Sequence, residues 1–265
     1  MKIPYLLILF VSLLIIAESQ SSFKNSGPLI PLNKVQAKKT IGENNGKGFA
    51  VLELFTSEGC SSCPPADELL AKIHRESEGK SIYVLAYHVD YWDRLGWKDI
   101  YSNAEFSERQ EQYSRWLNVS PIYTPQVIVN GKVQFVGSED SDIRRAISEQ
   151  LANDPVTILA IQADIEAGQL KVKYQIVRAV QDGRVWVAIV QKAAQTKVER
   201  GENAGHLLSH IQIVRKLKSG QISVTGEGST AVALPKDFDT QHWEALAFVQ
   251  NQVNGEILAV AKVNL

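Results

Sequence analysis

Thr56-Ser57-Glu58-Gly59-Cys60-Ser61-Ser62-Cys63-Pro64-Pro65-Ala66-Asp67 holds both cysteines of the chain, three positions apart. Phe49-Ala50-Val51-Leu52-Glu53-Leu54-Phe55 runs into it, a short apolar segment that reads as a buried strand. Behind it, Leu69, Leu70 and Ile73 recur at helical spacing among Asp67, Glu68, Lys72 and Arg75. The pair therefore falls at a strand-to-helix turn, at the N-terminal end of the helix. The first backbone N–H groups of a helix lack intrahelical partners, and the helix dipole favours negative charge there. Both effects stabilise a thiolate at Cys60 and lower its pKa. Cys63 follows one turn further in, within reach of a mixed disulfide formed at Cys60. Pro64 and Pro65 occupy the first turn, where a missing N–H costs least.

Three roles fit this spacing. Half of a zinc site needs a second ligand pair, but the chain has no other cysteine and its five histidines are scattered. An inert structural disulfide over so short a loop constrains little of the unfolded chain. A redox-active dithiol is the role the placement favours.

Composition sets the outer bounds. A net charge of −1 over 265 residues lacks the basic excess of a nucleic-acid binder. Residues 1–19 read as a signal peptide: Lys2 supplies the positive start, and residues 6–16 are apolar apart from Ser12. That run is short for a bilayer span, and Ala17-Glu18-Ser19 offers small residues for cleavage. An uncleaved anchor is the alternative. The expected location is secreted or periplasmic, a disulfide-permissive compartment, with no stable membrane span after cleavage. Residues 20–47, rich in Ser, Asn, Lys and Gly, read as a flexible leader.

Residues 48–154 alternate strand and helix signals. Residues 81–89 form a second near-continuous apolar run, suited to a strand buried on both faces. Residues 105–117 carry Phe106, Tyr113, Trp116 and Leu117 at helical spacing. Gln126-Val127-Ile128-Val129 is a strand, Asn130-Gly131 a tight turn, and Val133-Gln134-Phe135-Val136 the returning strand. Ser138 is placed to cap a last helix carrying Ile143, Ala146, Ile147 and Leu151. The order is β-α-β-α-β-β-α, closed by Asp154-Pro155.

This order, with a CxxC after the first strand and Thr124-Pro125 before the third, resembles the thioredoxin fold. The segments Glu53 to Asp67, His88-Val89-Asp90-Tyr91-Trp92-Asp93, Leu95-Gly96-Trp97-Lys98-Asp99, and Tyr123 to Gly131 together are similar to a secreted thioredoxin-like family, domain of unknown function 1223. Gly201-Glu202-Asn203-Ala204-Gly205 also fits its C-terminal part.

Several roles follow from the resemblance. Thr124–Pro125 is expected to be cis and to face the dithiol, with Thr124 offering backbone groups to an extended substrate strand. Glu53 corresponds, one residue out of step, to a buried acid that accepts the proton of the resolving cysteine Cys63; a water-facing strand carboxylate is its other reading. His88 is either a copper ligand with Cys60 and Cys63, as in a copper-handling relative, or a core histidine packed on Tyr87 and bonded to Asp90. Tyr91, Trp92 and Trp97 form an aromatic cluster that lines a substrate groove or covers the core. Glu202, Asn203, His206 and His210 are further polar positions of lesser weight.

Residues 155–265 change character. Leu170, Val172, Tyr174 and Ile176 alternate with Lys171, Lys173 and Gln175, a half-buried strand. Gly168, Asp182-Gly183, Gly220, Gly226 and Asn254-Gly255 punctuate further runs at residues 185–190, 210–214, 231–234, 245–249 and 257–263. This pattern implies an antiparallel β-sandwich domain. The sequence reading is thus an α/β thioredoxin-like domain followed by a sandwich, performing thiol–disulfide exchange on protein thiols or disulfides of the cell envelope. The dithiol is itself the redox group, so no cofactor is needed. The alternatives are a copper metallochaperone using Cys60, Cys63 and His88, and an envelope binding module with a vestigial CxxC.

Overall fold

A computed structural model describes residues 39–41, 48–178, 180–263 and 265. The expected signal peptide and most of the leader lie outside these residues.

At the centre run two parallel strands, β2 (Ala50–Thr56) and β3 (Ile82–His88), paired from Ala50↔Ile82 to Thr56↔His88. Every residue of β2 is buried, which is why its sequence is a nearly unbroken apolar run. Helix α1 (Pro64–Glu76) makes the crossover between them, turning Ala66, Leu69, Leu70 and Ile73 inward. Helix α2 (Ala104–Leu117) starts where the Asn103 side chain accepts the Glu105 N–H at 3.0 Å, and stops at Asn118 with φ 53°.

Strand β4 (Gln126–Val129) pairs antiparallel with β2 and, through Asn130-Gly131, with β5 (Val133–Val136). Asn130 (φ 49°) is buried; its side chain accepts the Val51 N–H at 2.6 Å and donates to the Phe49 carbonyl at 2.9 Å, tying the turn to β2. Helix α3 (Asp140–Ala152) follows. Its N-cap position is Glu139, with no side-chain capping bond, so Ser138 does not cap it.

The remaining strands are β6 (Leu159–Glu166), β7 (Gln169–Ile176), β8 (Gly183–Lys197), β9 (Leu207–Gln221), β10 (Glu227–Ala233), β11 (Trp243–Asn251) and β12 (Ile257–Val263). They do not keep to themselves. An eight-stranded sheet runs β12-β11-β8-β9-β3-β2-β4-β5, taking strands from both sides of Asp154-Pro155. Its seam is a parallel pairing of β3 with β9 at Ala86↔Ile213. A second sheet runs β1-β6-β7-β10, where β1 is Lys39–Ile41. Part of the expected leader is thus a strand, paired antiparallel to β6. The described residues belong to one compact unit. The fold is mixed α/β, with one large mixed sheet and few helices.

Alternation along the strands assigns the faces. Leu52 and Leu54 of β2 pack with α1 and α3. Val51 and Phe55 pack with Phe106 and Tyr113 of α2, in a core that continues over Ala188, Val190, Leu246 and Phe248. The odd residues Val185, Val187 and Ile189 of β8 meet the four-stranded sheet through Leu159, Val172 and Tyr174. The large sheet therefore carries α2 on one face, and α1, α3 and the small sheet on the other.

Candidate functional site

Cys60 and Cys63 are joined as a disulfide with Cα atoms 5.4 Å apart. Cys63 is the N-cap of α1 and already helical, at φ −77° and ψ −39°, with Pro64 and Pro65 opening the helix. The two prolines remove two of the orphan donors of the first turn. The N–H groups of Ala66 and Asp67 both go to the Cys63 carbonyl, at 2.9 and 3.1 Å. Less backbone N–H is therefore left for a thiolate than the position alone implies. Both cysteines are fully buried, whereas Ser61 and Ser62 between them are exposed.

The site is assembled from distant segments. Pro125, after a cis Thr124–Pro125 bond, lies at the first turn of α1: a Cβ built on Gly137 would stand 2.8 Å from the Ala66 Cβ and 3.0 Å from the Pro125 Cβ. Trp92 covers Gly59 and donates its indole N–H to Thr124 Oγ1 at 2.8 Å. Trp97 donates to Glu58 Oε2 at 2.7 Å. From one connecting segment, Trp97 thus hydrogen-bonds the CxxC loop, while Trp92 packs on that loop at Gly59 and hydrogen-bonds the Thr124-Pro125 loop.

The second half of the chain contributes as much. Glu202 accepts both the Ser61 N–H (3.1 Å) and the Ser61 Oγ–H (2.7 Å), which lowers its carboxyl pKa. Asn203 is buried and donates to the Glu58 and Cys60 carbonyls, at 2.9 and 3.0 Å. His210, on β9, lies against the same loop. His206 is exposed and outside this arrangement.

Beneath the disulfide is a buried group of ionisable side chains. His88 Nδ1 lies 2.6 Å from Asp99 Oδ2, and the same oxygen accepts the Glu58 N–H at 2.9 Å. Burial pushes the Asp99 carboxyl up, but His88 and its other donors outweigh that and hold it low. His210 stands between two carboxylates, with Nε2 at 3.4 Å from Glu58 and Nδ1 at 4.0 Å from Asp67. Asp67 in turn accepts from Thr56 Oγ1 at 3.1 Å. The His88 and His210 rings meet edge to face at 4.8 Å, with Tyr101 against both. Burial lowers the His210 pKa, yet Asp67 and Glu58 outweigh it and raise it to about 9.

Two expectations are corrected. Glu53 is buried, but on the face of β2 opposite α1: it accepts Arg109 Nε and Nη2 at 2.9 and 2.7 Å, and the Tyr113 hydroxyl. Strand alternation puts it on the α2 side, away from Cys63, with a guanidinium to neutralise it. His88 pairs with Asp99, not Asp90; Asp90 accepts from the Ser107 hydroxyl. Among the described residues, no three His, Cys, Asp or Glu side chains are grouped to hold a metal ion. Asp67 and Asp99 close two of the segments already noted and Glu202 and Asn203 stand in a third, but the sequence reading gives neither aspartate a role beside the disulfide.

Fold and site together define a mixed α/β protein with an oxidised CxxC at the head of a helix. Within that class, the chain belongs to the family described as protein of unknown function (DUF1223), whose model matches residues 51–250. A similar solved structure is the crystal structure of an Agrobacterium tumefaciens protein from a structural genomics consortium. It is 25% identical with a TM-score of 0.62, over 81% of this chain and 93% of that one. A domain of the outer membrane lipoprotein Omp28 from Porphyromonas gingivalis is 16% identical over 43% of this chain and 92% of that one; its TM-score of 0.25 is too low to carry an argument. No curated protein matches the chain. Among the described residues, no helix is long and apolar enough to cross a membrane.

Proposed function

We propose that this protein is an exported thiol–disulfide oxidoreductase with a thioredoxin-like core, acting on protein thiols or disulfides of the cell envelope. The observation that carries the reading is the Cys60–Cys63 disulfide at the start of α1, with the Thr124-Pro125 loop against the same turn. Cys60 forms the mixed disulfide, Cys63 resolves it, and the Thr124 backbone holds the partner chain in strand-like pairing. Trp92 and Trp97 fix the loops on either side. The sulfurs pass the electrons themselves, so no cofactor enters. Export follows from the basic, apolar and small-residue pattern of residues 1–19.

The surroundings favour the disulfide over a free thiolate. Glu202 brings negative charge to the loop, and the Ser61 N–H is already taken by it. These features argue against the strongly oxidising end of the range, about −120 mV.

The test is catalysis of insulin reduction by dithiothreitol, together with trapping by Cys63→Ser. The wild type should accelerate reduction, and the variant should accumulate mixed disulfides through Cys60. No acceleration over dithiothreitol alone, with no trapped partner, refutes the proposal.

A further inference from the structure

Disulfide chemistry at buried sulfurs has a proton problem. Opening Cys60–Cys63 leaves one sulfur as a leaving thiolate, and Cys63 has no contact with water to supply its proton. The interior beside the pair holds polar atoms that make no well-formed hydrogen bond: His210 Nε2 and Glu58 Oε1, which face each other at 3.4 Å, His210 Nδ1, 4.0 Å from Asp67, and His88 Nε2. Buried polar groups are rarely left so, and several in one small volume need an explanation.

Helix geometry supplies the connection. Cys63 has helical dihedrals and its carbonyl accepts the Asp67 N–H, so Cys63 and Asp67 are i,i+4 neighbours on one helix face, with Cβ atoms about 5–6 Å apart. Asp67 is buried, and its second oxygen faces His210 Nδ1 at 4.0 Å. On the other side, His210 Nε2 faces Glu58, two residues before Cys60. Resting on the proposed redox role, we propose that His210 is a positioning residue that stores a proton and exchanges it with Cys63 through Asp67.

The step balances. A partner thiolate attacks Cys60, an S–S bond to the partner forms, the Cys60–Cys63 bond breaks, and Cys63 leaves with the electron pair. The imidazolium of His210 gives its proton to Asp67, which passes one to Cys63, leaving a thiol and a neutral imidazole. A second partner thiolate then attacks the mixed disulfide, releasing the partner as its disulfide and Cys60 as thiolate. Two substrate thiolates are oxidised and one protein disulfide is reduced. In the opposite direction, neutral His210 takes the proton as Cys63 attacks.

The groups that face His210 are Asp67 from α1, Glu58 from the loop after β2, and His88 from β3, with Asp99 behind it. Tyr101 lies in the loop before α2, and Arg215 of β9 stacks over Tyr101. The two carboxylates nearest the ring keep it protonated in the oxidised state up to a pH of about 9.

The experiment is reduction of the oxidised full-length protein by dithiothreitol between pH 6 and 10, each rate divided by the thiolate concentration. No protein substrate is used, so the result stands apart from the insulin test. In the wild type the normalised rate should fall as pH rises through about 9. His210→Gln and Asp67→Asn should each slow it about 10-fold or more at pH 7 and remove that pH dependence. A variant that keeps the wild-type profile overturns the proposal. If His210→Gln does not fold, Asp67→Asn decides; if neither folds, a wild-type rate level through pH 9 overturns it.

Discussion

Replacing Glu53 by Gln separates a structural carboxylate from a catalytic one. Glu53 has no solvent exposure and Arg109 has almost none, so the pair exists only because each neutralises the other. The Arg109 guanidinium also sits 5.1–5.5 Å from the ring centroids of Tyr87, Tyr113, Trp186 and Phe248, and donates to Gln250 at 3.2 Å. Burial alone pulls the Arg109 pKa down, and Glu53 more than reverses it. Glu53→Gln preserves the shape and leaves a buried cation without its counter-charge, a change that costs about 3–5 kcal/mol. The aromatic rings flank Arg109 before and after the change and so cancel in the difference; because glutamine keeps an accepting oxygen, the low end, about 3 kcal/mol, is expected. The assay is urea unfolding with the disulfide intact, at unchanged m-value. Glu53→Leu combined with Arg109→Met should cost less than the two single changes added together, because no charge is then left unpaired. Reduction of the Cys60–Cys63 disulfide should proceed at the wild-type rate in Glu53→Gln. A stability loss under about 1 kcal/mol, or a tenfold slower reduction in the folded variant, would refute the placement of Glu53 as a purely structural partner of Arg109.

Stability should depend on pH through His210. Its folded pKa, about 9, is above the ordinary 6.5, so the contribution is complete below about 6.5 and is lost as pH rises through 9; Tm should decline over that window in the wild type and stay flatter in His210→Gln. Glu202→Ala frees the Ser61 N–H and removes a negative charge from the loop, so the Cys60 thiolate pKa, followed by absorbance at 240 nm in the reduced protein, should drop; an unchanged value would show that Glu202 does not tune the pair. Asn130→Ala strands the Val51 N–H and the Phe49 carbonyl and leaves alanine, with no side-chain amide to bond locally, at φ 49°. It should cost about 2–4 kcal/mol in chemical unfolding, and a loss below 1 kcal/mol would mean that the turn does not anchor β2.

The chemistry-bearing pair was legible from residues 49–75 alone. Strand, turn and helix there follow from apolar spacing and prolines within a few residues, and a spacing of three between cysteines at a helix start has few uses. The same holds for β3, α2, β4 and β5, whose edges agree with the sequence pattern to within a residue or two. Strand β6 was missed, because Leu159-Ala160-Ile161-Gln162 alternates only weakly before turning polar at Asp164 and Glu166.

Partners across the sheet were not legible in this way. Period-two alternation tells a strand which residues share a face, but not which strand lies beside it. Nothing local announces that β9 leaves its expected sandwich to pair with β3 at Ala86, or that this pairing brings His210 to Asp67 and Glu58. Glu202 reaches Ser61 across 141 positions, and Arg109 reaches Glu53 across 56. The sequence by itself determined the disulfide-forming turn, because that depends on neighbours in the chain. Only the tertiary structure decided which charges surround it, because buried ionisable groups are held by long-range pairing, where the cost of desolvation selects the partner and chain distance does not enter.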